Sequence, residues 1–280
     1  AGKRAVRAAM AAAVLAFSAG PGRAFAEAGA VDLELVIAVD VSGSIDPEEA
    51  ALQRQGYIGA LQDPRVLAAV KSGYHGRIAV TYVEWAGVHH RRTIADWSAI
   101  GDEASARALA EWIGAQSIGT GAWTSISGAI TLALDRFAES PYTSRRRVID
   151  VSGDGPNNNG PPVVEARDRA VAQGITINGL PIVNDRPSRW GLPPFPDLDL
   201  YFEDCVIGGR GAFIVVAEGF GDFAAAIRRK LILEIAGLHP SQAPGLVSAV
   251  EHRPRGPRTG PRPACDIGEK QRLDRGYFDR

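Results

Sequence analysis

Three oxygen-bearing side chains stand at alternate positions near the start of the sequence. They are Asp40, Ser42 and Ser44, in the segment Asp-Val-Ser-Gly-Ser. Hard oxygen ligands of this kind suit Mg²⁺, Ca²⁺ or Mn²⁺ rather than zinc. The alternative is local: Asp40 forms an Asx turn, and the serines hydrogen-bond to backbone amides. This segment alone does not decide between the two, so further ligands must come from elsewhere in the chain.

The segment lies in a pattern of strand, turn and helix. The run Leu33–Val39, rich in Val, Ile and Leu, is typical of a strand buried on both faces. Asp46 is placed to cap a helix, with Pro47 at its first position and Glu49 completing a capping box. Such a turn belongs at the carboxyl edge of a parallel sheet, where α/β proteins bind their ligands.

Strand and helix patterns alternate along the rest of the chain. The predicted strands are 77–85, 147–152, 175–183 and 211–217, and the predicted helices are 47–61, 102–115, 125–137, 163–173, 201–207 and 222–236. The polar run 88–94 predicts an antiparallel edge strand paired with 77–85. Alternating strands and helices require parallel pairing with right-handed crossovers. The sequence therefore predicts an α/β fold with a doubly wound, mostly parallel sheet, one antiparallel edge strand and helices on both faces.

Two further polar side chains fall at the same predicted sheet edge. Thr124 ends the glycine-punctuated loop Gly119–Thr124, immediately before a helix. Asp154 directly follows a strand, and the glycines on either side of it let the backbone turn sharply. With the first segment, these residues make a set of five candidate oxygen ligands.

The three loops together resemble the metal-ion-dependent adhesion site of the von Willebrand factor type A domain family. That site uses Asp-x-Ser-x-Ser after the first strand, a threonine in a second loop and an aspartate in a third. The matching residues here are Asp40, Ser42, Ser44, Thr124 and Asp154. The family more often reads Thr-Asp-Gly where this chain has Gly-Asp-Gly, which removes one hydroxyl beside the aspartate.

The resemblance covers about residues 31–236. The segments Trp-Thr-Ser-Ile-Ser-Gly-Ala-Ile, Asp-Val-Ser-Gly-Asp-Gly-Pro-Asn-Asn and Cys-Val-Ile-Gly-Gly are similar to a bacterial exported subgroup of the family whose role is uncharacterised. The resemblance implies a Rossmann-like fold and a non-enzymatic, protein-binding module that holds Mg²⁺, or Mn²⁺ or Ca²⁺. In the family an acidic side chain of a partner protein completes the coordination of the metal, so the expected partner offers a carboxylate.

Residues 1–26 have the order of a secretory signal peptide. Three basic residues within positions 3–7 precede the alanine-rich stretch Ala8–Ala19, and Ala24-Phe25-Ala26 forms the expected cleavage site. A membrane anchor is the alternative, but the apolar stretch is short for a span, and no later segment reaches that length. We expect residues 27–237 to form an exported, periplasmic or secreted domain.

Residues 238–280 read as a tail, because Pro and Arg recur there and the periodic pattern fades. In an oxidising compartment Cys205 and Cys265 are expected to form a disulfide that ties this tail back. Two buried reduced thiols are the alternative. The formal net charge of -1 over 280 residues argues against a nucleic-acid partner, and we expect a monomer.

Two other functions compete with the binding module. A metal-assisted hydrolase could use the same open coordination position to activate water, but the sequence contains no Gly-x-Ser-x-Gly elbow and no His in the three loops. A structural envelope protein whose site has lapsed is the other possibility.

Three further groups of residues near these loops are not predicted to bind the metal. Trp123 either borders the site or packs within its loop. His89 and His90 are expected to alternate across the edge strand and so cannot chelate a metal together. Asn157–Asn159 are most simply turn residues, although their loop leaves the site and so could also shape the binding surface.

Overall fold

The computed structural model describes residues 29–183, 193–243 and 261–274. The predicted signal peptide, residues 1–26, lies outside the described residues, as does the first part of the Pro-rich stretch that follows Val183. Within the described ranges, none of the helices combines the length and the apolar character needed to cross a membrane.

Six strands form one mixed sheet. They are β1 (Glu34–Asp40), β2 (Ile78–Trp85), β3 (Arg91–Ile100), β4 (Arg147–Gly153), β5 (Thr176–Val183) and β6 (Ala217–Glu218). The strand order is β3-β2-β1-β4-β5-β6. All neighbours are parallel except β3, which runs antiparallel to β2 at one edge. The predicted sheet, with its single antiparallel edge strand, is confirmed.

Helices cover both faces of the sheet. The helices are α1 (Pro47–Leu61), α2 (Pro64–Lys71), α3 (Glu103–Ala115), α4 (Ile126–Ala138), α5 (Val163–Ala172), α6 (Leu198–Tyr201), α7 (Phe220–Ala236) and α8 (Ile267–Asp274). The last turn of α6 continues as a π-helix at Phe202–Val206, and a 3₁₀ turn follows α7 at Pro240–Gln242. One core lies beneath α1, α2, α3 and α7, and the other beneath α4, α5 and α6.

The central strand β1 is buried along its whole length. Leu35 and Ile37 point into the core under α1 and α7, whereas Val36 and Ala38 point into the opposite core. A strand covered on both faces needs apolar residues at successive positions rather than at alternate ones. This pattern fixes the register of β1 and leaves Asp40 at the carboxyl edge of the sheet.

The antiparallel edge strand begins later than the sequence predicted. The predicted strand 88–94 is in fact a turn followed by β3, which begins at Arg91 and is paired with β2 through an irregular register. His89 and His90 therefore lie in or beside the turn, and the prediction that they alternate across a strand is wrong. The backbone of His90 closes this turn, because its N–H donates to Gly87 O at 2.9 Å.

Three other elements differ from the prediction. The strand expected at 211–217 shrinks to the two residues of β6, with an isolated bridge between Gly179 and Ile214. Helix α2 was not predicted, although Asp63 caps it and Pro64 opens it, as is typical of helix starts. Helix α8 lies in the predicted tail, which is joined to the domain by a disulfide between Cys205 and Cys265. The alternative of two reduced thiols is thereby excluded.

A buried ionic cluster joins α7 to the middle of the sheet. Lys230 Nζ lies 2.6 Å from Asp150 Oδ1 on β4 and 2.5 Å from Glu234 Oε1, and all three side chains are almost fully buried. Asn178 on β5 donates from Nδ2 to Glu234 Oε1 at 3.0 Å. Burial, followed by the charge of Asp150, raises the pKa of Glu234 to about 7 against the opposing effect of Lys230. Burial and the same Asp150 charge also raise the pKa of Tyr57 on α1.

We expect the variant Glu234→Gln to flatten the pH dependence of stability. The folded protein holds a proton on Glu234 up to about pH 7, whereas the unfolded chain loses it near its ordinary pKa of 4.5. Glu234 therefore stabilises the fold fully below that ordinary pKa, and its contribution is lost as the pH rises through about 7. Urea unfolding in chelator at about pH 5 and about pH 8 should show a smaller drop in the variant, by as much as about 3 kcal/mol.

Glu165→Gln is the matched control, because Glu165 is exposed on α5. This variant should keep the pH dependence of the natural chain. A Glu234→Gln protein with an unchanged pH dependence would show that the buried carboxyl does not titrate in this range.

Candidate metal site

The first loop leaves the central strand at a buried carboxylate. Asp40 is fully buried, and its Oδ1 accepts the backbone N–H of Ser42 at 2.7 Å. The loop then enters α1 through the predicted cap. The Asp46 side chain accepts the N–H groups of Glu48 and Glu49, and Glu49 Oε2 accepts the N–H of Asp46 at 3.0 Å. These bonds satisfy the free amides at the start of α1 and fix the path of the loop.

The hydroxyl groups of the first loop connect it to the third loop. Ser42 Oγ and Ser44 Oγ lie 3.1 Å apart, and Ser44 Oγ donates to Asp154 Oδ1 at 2.6 Å. Asp154 lies just beyond β4, which pairs in parallel with β1. The structure therefore brings Asp40, Ser42, Ser44 and Asp154 together in one cluster at the carboxyl edge of the sheet.

Thr124 stands beside this cluster in the second loop. Its side chain is 5% exposed, and its Oγ1 lies 4.0 Å from the place that a Cβ on Gly155 would occupy. The second loop also joins the first directly, because Gly121 N–H donates to Val41 O at 3.1 Å. All five predicted residues thus lie where the three loops meet.

Within the part of the chain that the structure describes, no basic side chain balances the charges of Asp40 and Asp154. Burial, followed by the charge of Asp154, raises the pKa of Asp40 well above its ordinary value. Asp40 Oδ2 is buried and accepts no hydrogen bond. Burial and the charge of Glu49 raise the pKa of Asp154 to about 6, although the bond from Ser44 lowers it. A buried carboxylate oxygen without a hydrogen-bond partner is costly, so a cation fits beside Asp40 Oδ2.

The donor chemistry limits which cation fits. Among the residues that the structure describes, no group of three or more His, Cys, Asp or Glu side chains could hold a metal ion. The five candidate ligands instead comprise two carboxylates and three hydroxyls, so a metal here depends on the hydroxyl groups. Such a set suits a hard cation that retains water, such as Mg²⁺ or Mn²⁺.

Close packing around position 153 favours glycine there. A Cβ on Gly153 would lie 3.0 Å from Asp40 Oδ2 and 3.5 Å from the ring of Trp85. The backbone of the third loop therefore approaches the Asp40 carboxylate very closely, which a larger residue would hinder. This close packing is the reason for glycine rather than threonine before Asp154 in the Gly-Asp-Gly segment.

Asn157, Asn158 and Asn159 are more than turn residues, because their side chains bond to neighbouring loops, a role that the sequence did not predict. Asn157 Oδ1 accepts the N–H of Ser127 at 3.0 Å, at the start of α4. Asn158 Oδ1 accepts the N–H of Thr124 at 2.8 Å, and Asn158 N–H donates to Thr124 O at 2.9 Å. Asn159 Oδ1 accepts the N–H of Val88 at 2.8 Å. The three amides thus hold the loops around Thr124, and the signal in the sequence was their position in the loop that begins at Asp154.

Trp123 has a backbone conformation that bulky residues rarely adopt. Its φ is 67°, in the left-handed region, which costs of the order of 1–3 kcal/mol for a residue with a Cβ. The neighbouring residues hold it there. Gly87 N–H donates to Ala122 O at 2.9 Å, and Ser125 N–H donates to Ala86 O at 2.8 Å. The half-buried ring packs against the guanidinium of Arg272.

A buried ion pair supports the other end of the second loop. Arg54 on α1 pairs with Glu84 near the end of β2, and both side chains are almost fully buried. Arg54 also donates to the carbonyl groups of Gln116 and Ser117, while Glu84 Oε2 accepts the N–H of Gly119 at 3.3 Å. This pair therefore fixes the chain between α3 and the loop that carries Thr124.

The described residues have the fold of a von Willebrand factor type A domain. One similar solved structure is the von Willebrand factor type A protein from Catenulispora acidiphila, with 14% identity, a TM-score of 0.51 and coverage of 74% of this chain and 43% of that one. Another is proximal thread matrix protein 1 from the mussel byssus, with 14% identity, a TM-score of 0.52 and coverage of 74% of this chain and 48% of that one. A third is the pilus adhesin SpaC from Lactobacillus rhamnosus GG in its open conformation, with 11% identity, a TM-score of 0.54 and coverage of 73% of this chain and 30% of that one. This chain spans less than half the length of each. The mussel protein is also known with zinc in its MIDAS motif, the metal-ion-dependent adhesion site (14% identity, TM-score 0.50, 74% and 48%).

A sequence comparison identifies the family of this chain more specifically than the fold does. The sequence model of the family described as "Protein of unknown function (DUF1194)" matches residues 30–239. The chain belongs to that family. No curated protein is significantly similar to it. The predicted relation to von Willebrand factor type A domains, within a group of unknown function, is confirmed.

We expect Asn158→Ala to loosen the second loop without unfolding the protein. The variant leaves the Thr124 N–H without its acceptor, which should lower the free energy of unfolding by about 1–2 kcal/mol. Amide hydrogen exchange should accelerate at Thr124 in particular. Gln62→Ala is the control, because Gln62 is exposed and bonds only within its own helix, to Ile58 O. An unchanged exchange rate at Thr124 in Asn158→Ala would contradict the positioning role of this amide.

Proposed function

We propose that this protein is a divalent-metal-dependent protein-binding module of the adhesion type. The observation that carries the proposal is the buried Asp40 carboxylate, whose Oδ2 has no hydrogen-bond partner, beside the cluster of Ser42, Ser44 and Asp154. The von Willebrand factor type A fold and the zinc-occupied MIDAS motif of the mussel protein support the same reading. A hydrolytic enzyme is the weaker candidate, since neither the sequence nor the described contacts supply a general base.

The five candidate ligands would contribute to cation binding in two ways. Ser42, Ser44 and Thr124 would offer neutral hydroxyl oxygens, while Asp40 and Asp154 would supply negative charge beside them. The two carboxylates together carry a charge of -2, which formally balances a divalent cation. If the three hydroxyls are the direct ligands and the two aspartates act through water, the cation remains electrophilic. A bound Mg²⁺ or Mn²⁺ would supply an exchangeable coordination position that attracts a further carboxylate.

The expected ligand is therefore an acidic side chain of a partner protein. Trp123 precedes Thr124 in the second loop and Asn158 bonds to the Thr124 backbone, so both are candidates to contact such a group. The pilus adhesin among the similar structures is consistent with a binding role for this fold. Given the predicted signal peptide at residues 1–26, we place this interaction in the periplasm or outside the cell, with the protein as a monomer.

We expect Asp40→Ala to abolish metal binding while leaving the fold intact. Titration calorimetry of residues 27–280 with Mn²⁺ and Mg²⁺, after treatment with chelator, should show one site in the natural chain. The variant loses a charged ligand at the centre of the site, so its affinity should fall at least about 100-fold. Circular dichroism should show the same secondary structure in both proteins.

Asp168→Ala is the matched control, since Asp168 is an exposed carboxylate far along the chain on α5. It should bind metal as the natural chain does. If Asp40→Ala binds metal as tightly as the natural chain, the site assignment is refuted. If the folded natural chain binds no metal, the site has lost its function. Esterase or phosphatase turnover that disappears with chelator would favour the hydrolase instead.

The partner chemistry can be tested by linkage. A short peptide rich in Asp and Glu should raise the apparent affinity for Mg²⁺ severalfold, because ligands that share a coordination sphere strengthen each other reciprocally. The same peptide with Asn and Gln in place of the acidic residues should have no effect. If both peptides act alike, carboxylate recognition is wrong.

A further inference from the structure

The described part of the tail is folded onto the loops of the candidate site. The disulfide attaches Cys265 to Cys205, which is fully buried in the π-helical segment that follows α6. Tyr201 links the attachment point to the third loop, because its hydroxyl accepts the N–H of Asn157 at 3.1 Å and donates to Cys265 O at 3.4 Å. The tail is thus anchored immediately beside the asparagine loop.

Helix α8 packs directly against Asn157. A Cβ on Gly268 would overlap the carbonyl oxygen of Asn157, so only glycine allows this approach. Glu269 Oε1 accepts a hydrogen bond from Asn157 Nδ2 at 2.7 Å. Gly268 is the one fully buried residue of α8, which places the tightest part of the contact at the site loop itself.

The next turn of α8 reaches Asn158 and Trp123. Arg272 Nη1 donates to Asn158 O at 3.2 Å, and the guanidinium carbon lies 5.2 Å from the centre of the Trp123 ring. A guanidinium over an indole face at this distance is stabilising. Arg272 therefore contacts Trp123, which precedes Thr124 in the chain, and Asn158, which is hydrogen-bonded to Thr124.

These contacts form a short physical path from the tail to a proposed metal ligand. Glu269 orients the Asn157 side chain, which accepts the N–H of Ser127 at the start of α4. Arg272 holds the backbone of Asn158, whose side chain accepts the N–H of Thr124. We propose that α8 is a positioning element of the metal site: by fixing Asn157 and Asn158 it holds Thr124 in place for the cation.

The proposal rests on the proposed function and adds a part of the chain to it. Residues 261–274 lie beyond the match to the family model, which ends at 239. If the cation binds tightly only when Thr124 is held, the apparent affinity equals the intrinsic affinity multiplied by the fraction of molecules in which α8 is docked. Loss of an outer partner of a metal ligand commonly costs 10- to 100-fold in affinity.

The test compares two undocking variants with two controls in the full chain. Gly268→Ala introduces the overlap with Asn157, and Glu269→Ala removes the acceptor of its amide. Glu269→Gln retains an acceptor oxygen and should rescue the site. Lys270→Ala changes an exposed residue of the same helix that pairs with Asp266. The readouts are Mn²⁺ affinity by calorimetry and amide hydrogen exchange in chelator.

We expect Gly268→Ala and Glu269→Ala to bind Mn²⁺ roughly tenfold more weakly. Both should also exchange faster at the amides of Thr124 and Ser127 without metal, whereas Glu269→Gln and Lys270→Ala should match the natural chain. Cys205→Ala combined with Cys265→Ala, which removes the covalent attachment, should behave as a third undocking variant.

Faster exchange throughout 267–274, with unchanged exchange at Thr124 and unchanged Mn²⁺ affinity, would overturn the proposal. A natural chain that binds no Mn²⁺ would instead refute the proposed function. In that case the exchange rates in chelator still report whether α8 holds Thr124. The failures of the two proposals are therefore distinguishable.

Discussion

The burial of a carboxylate at the end of the central strand is the constraint on which the rest of the site depends. β1 is apolar on both faces, so its register is fixed by two cores and Asp40 cannot move away from the sheet edge. One oxygen of Asp40 is satisfied by the Ser42 amide, and the other faces the close backbone of Gly153 without a partner. The surrounding loops are built around that unsatisfied charge.

Those loops are held by polar contacts that do not use the five ligand oxygens themselves. The Arg54–Glu84 pair fixes the chain that leaves α3, and the asparagine loop fixes the segment that enters α4. The strained backbone of Trp123 lies between these two supports. Strain of this kind persists only where the surroundings determine the conformation, and it is concentrated at binding sites. Contacts on both sides of Trp123 therefore hold the second loop at the site.

Most of the fold could be predicted because the signals that define it are local. Asp46, Pro47 and Glu49 mark the start of α1 through hydrogen bonds that span only a few residues, and the apolar run of β1 identifies the centre of the sheet. The five candidate ligands were found from spacing together with the family resemblance. The roles of Asn157–Asn159 and of α8 could not be found this way, because they depend on contacts between segments about 30 to 114 residues apart. An asparagine in a turn looks the same in sequence whether or not its amide holds another loop.

The position of the disulfide has a consequence for the order in which the molecule matures. Cys205 is wholly enclosed by the core, whereas Cys265 retains some contact with solvent. An attacking thiolate can therefore reach only the outer sulfur, and the reaction would expel a thiolate into an apolar interior, which is unfavourable. Once formed, the bond is protected kinetically against small reductants. By the same reasoning the bond forms more readily before the segment around Cys205 has packed, so oxidation during folding is favoured over oxidation afterwards.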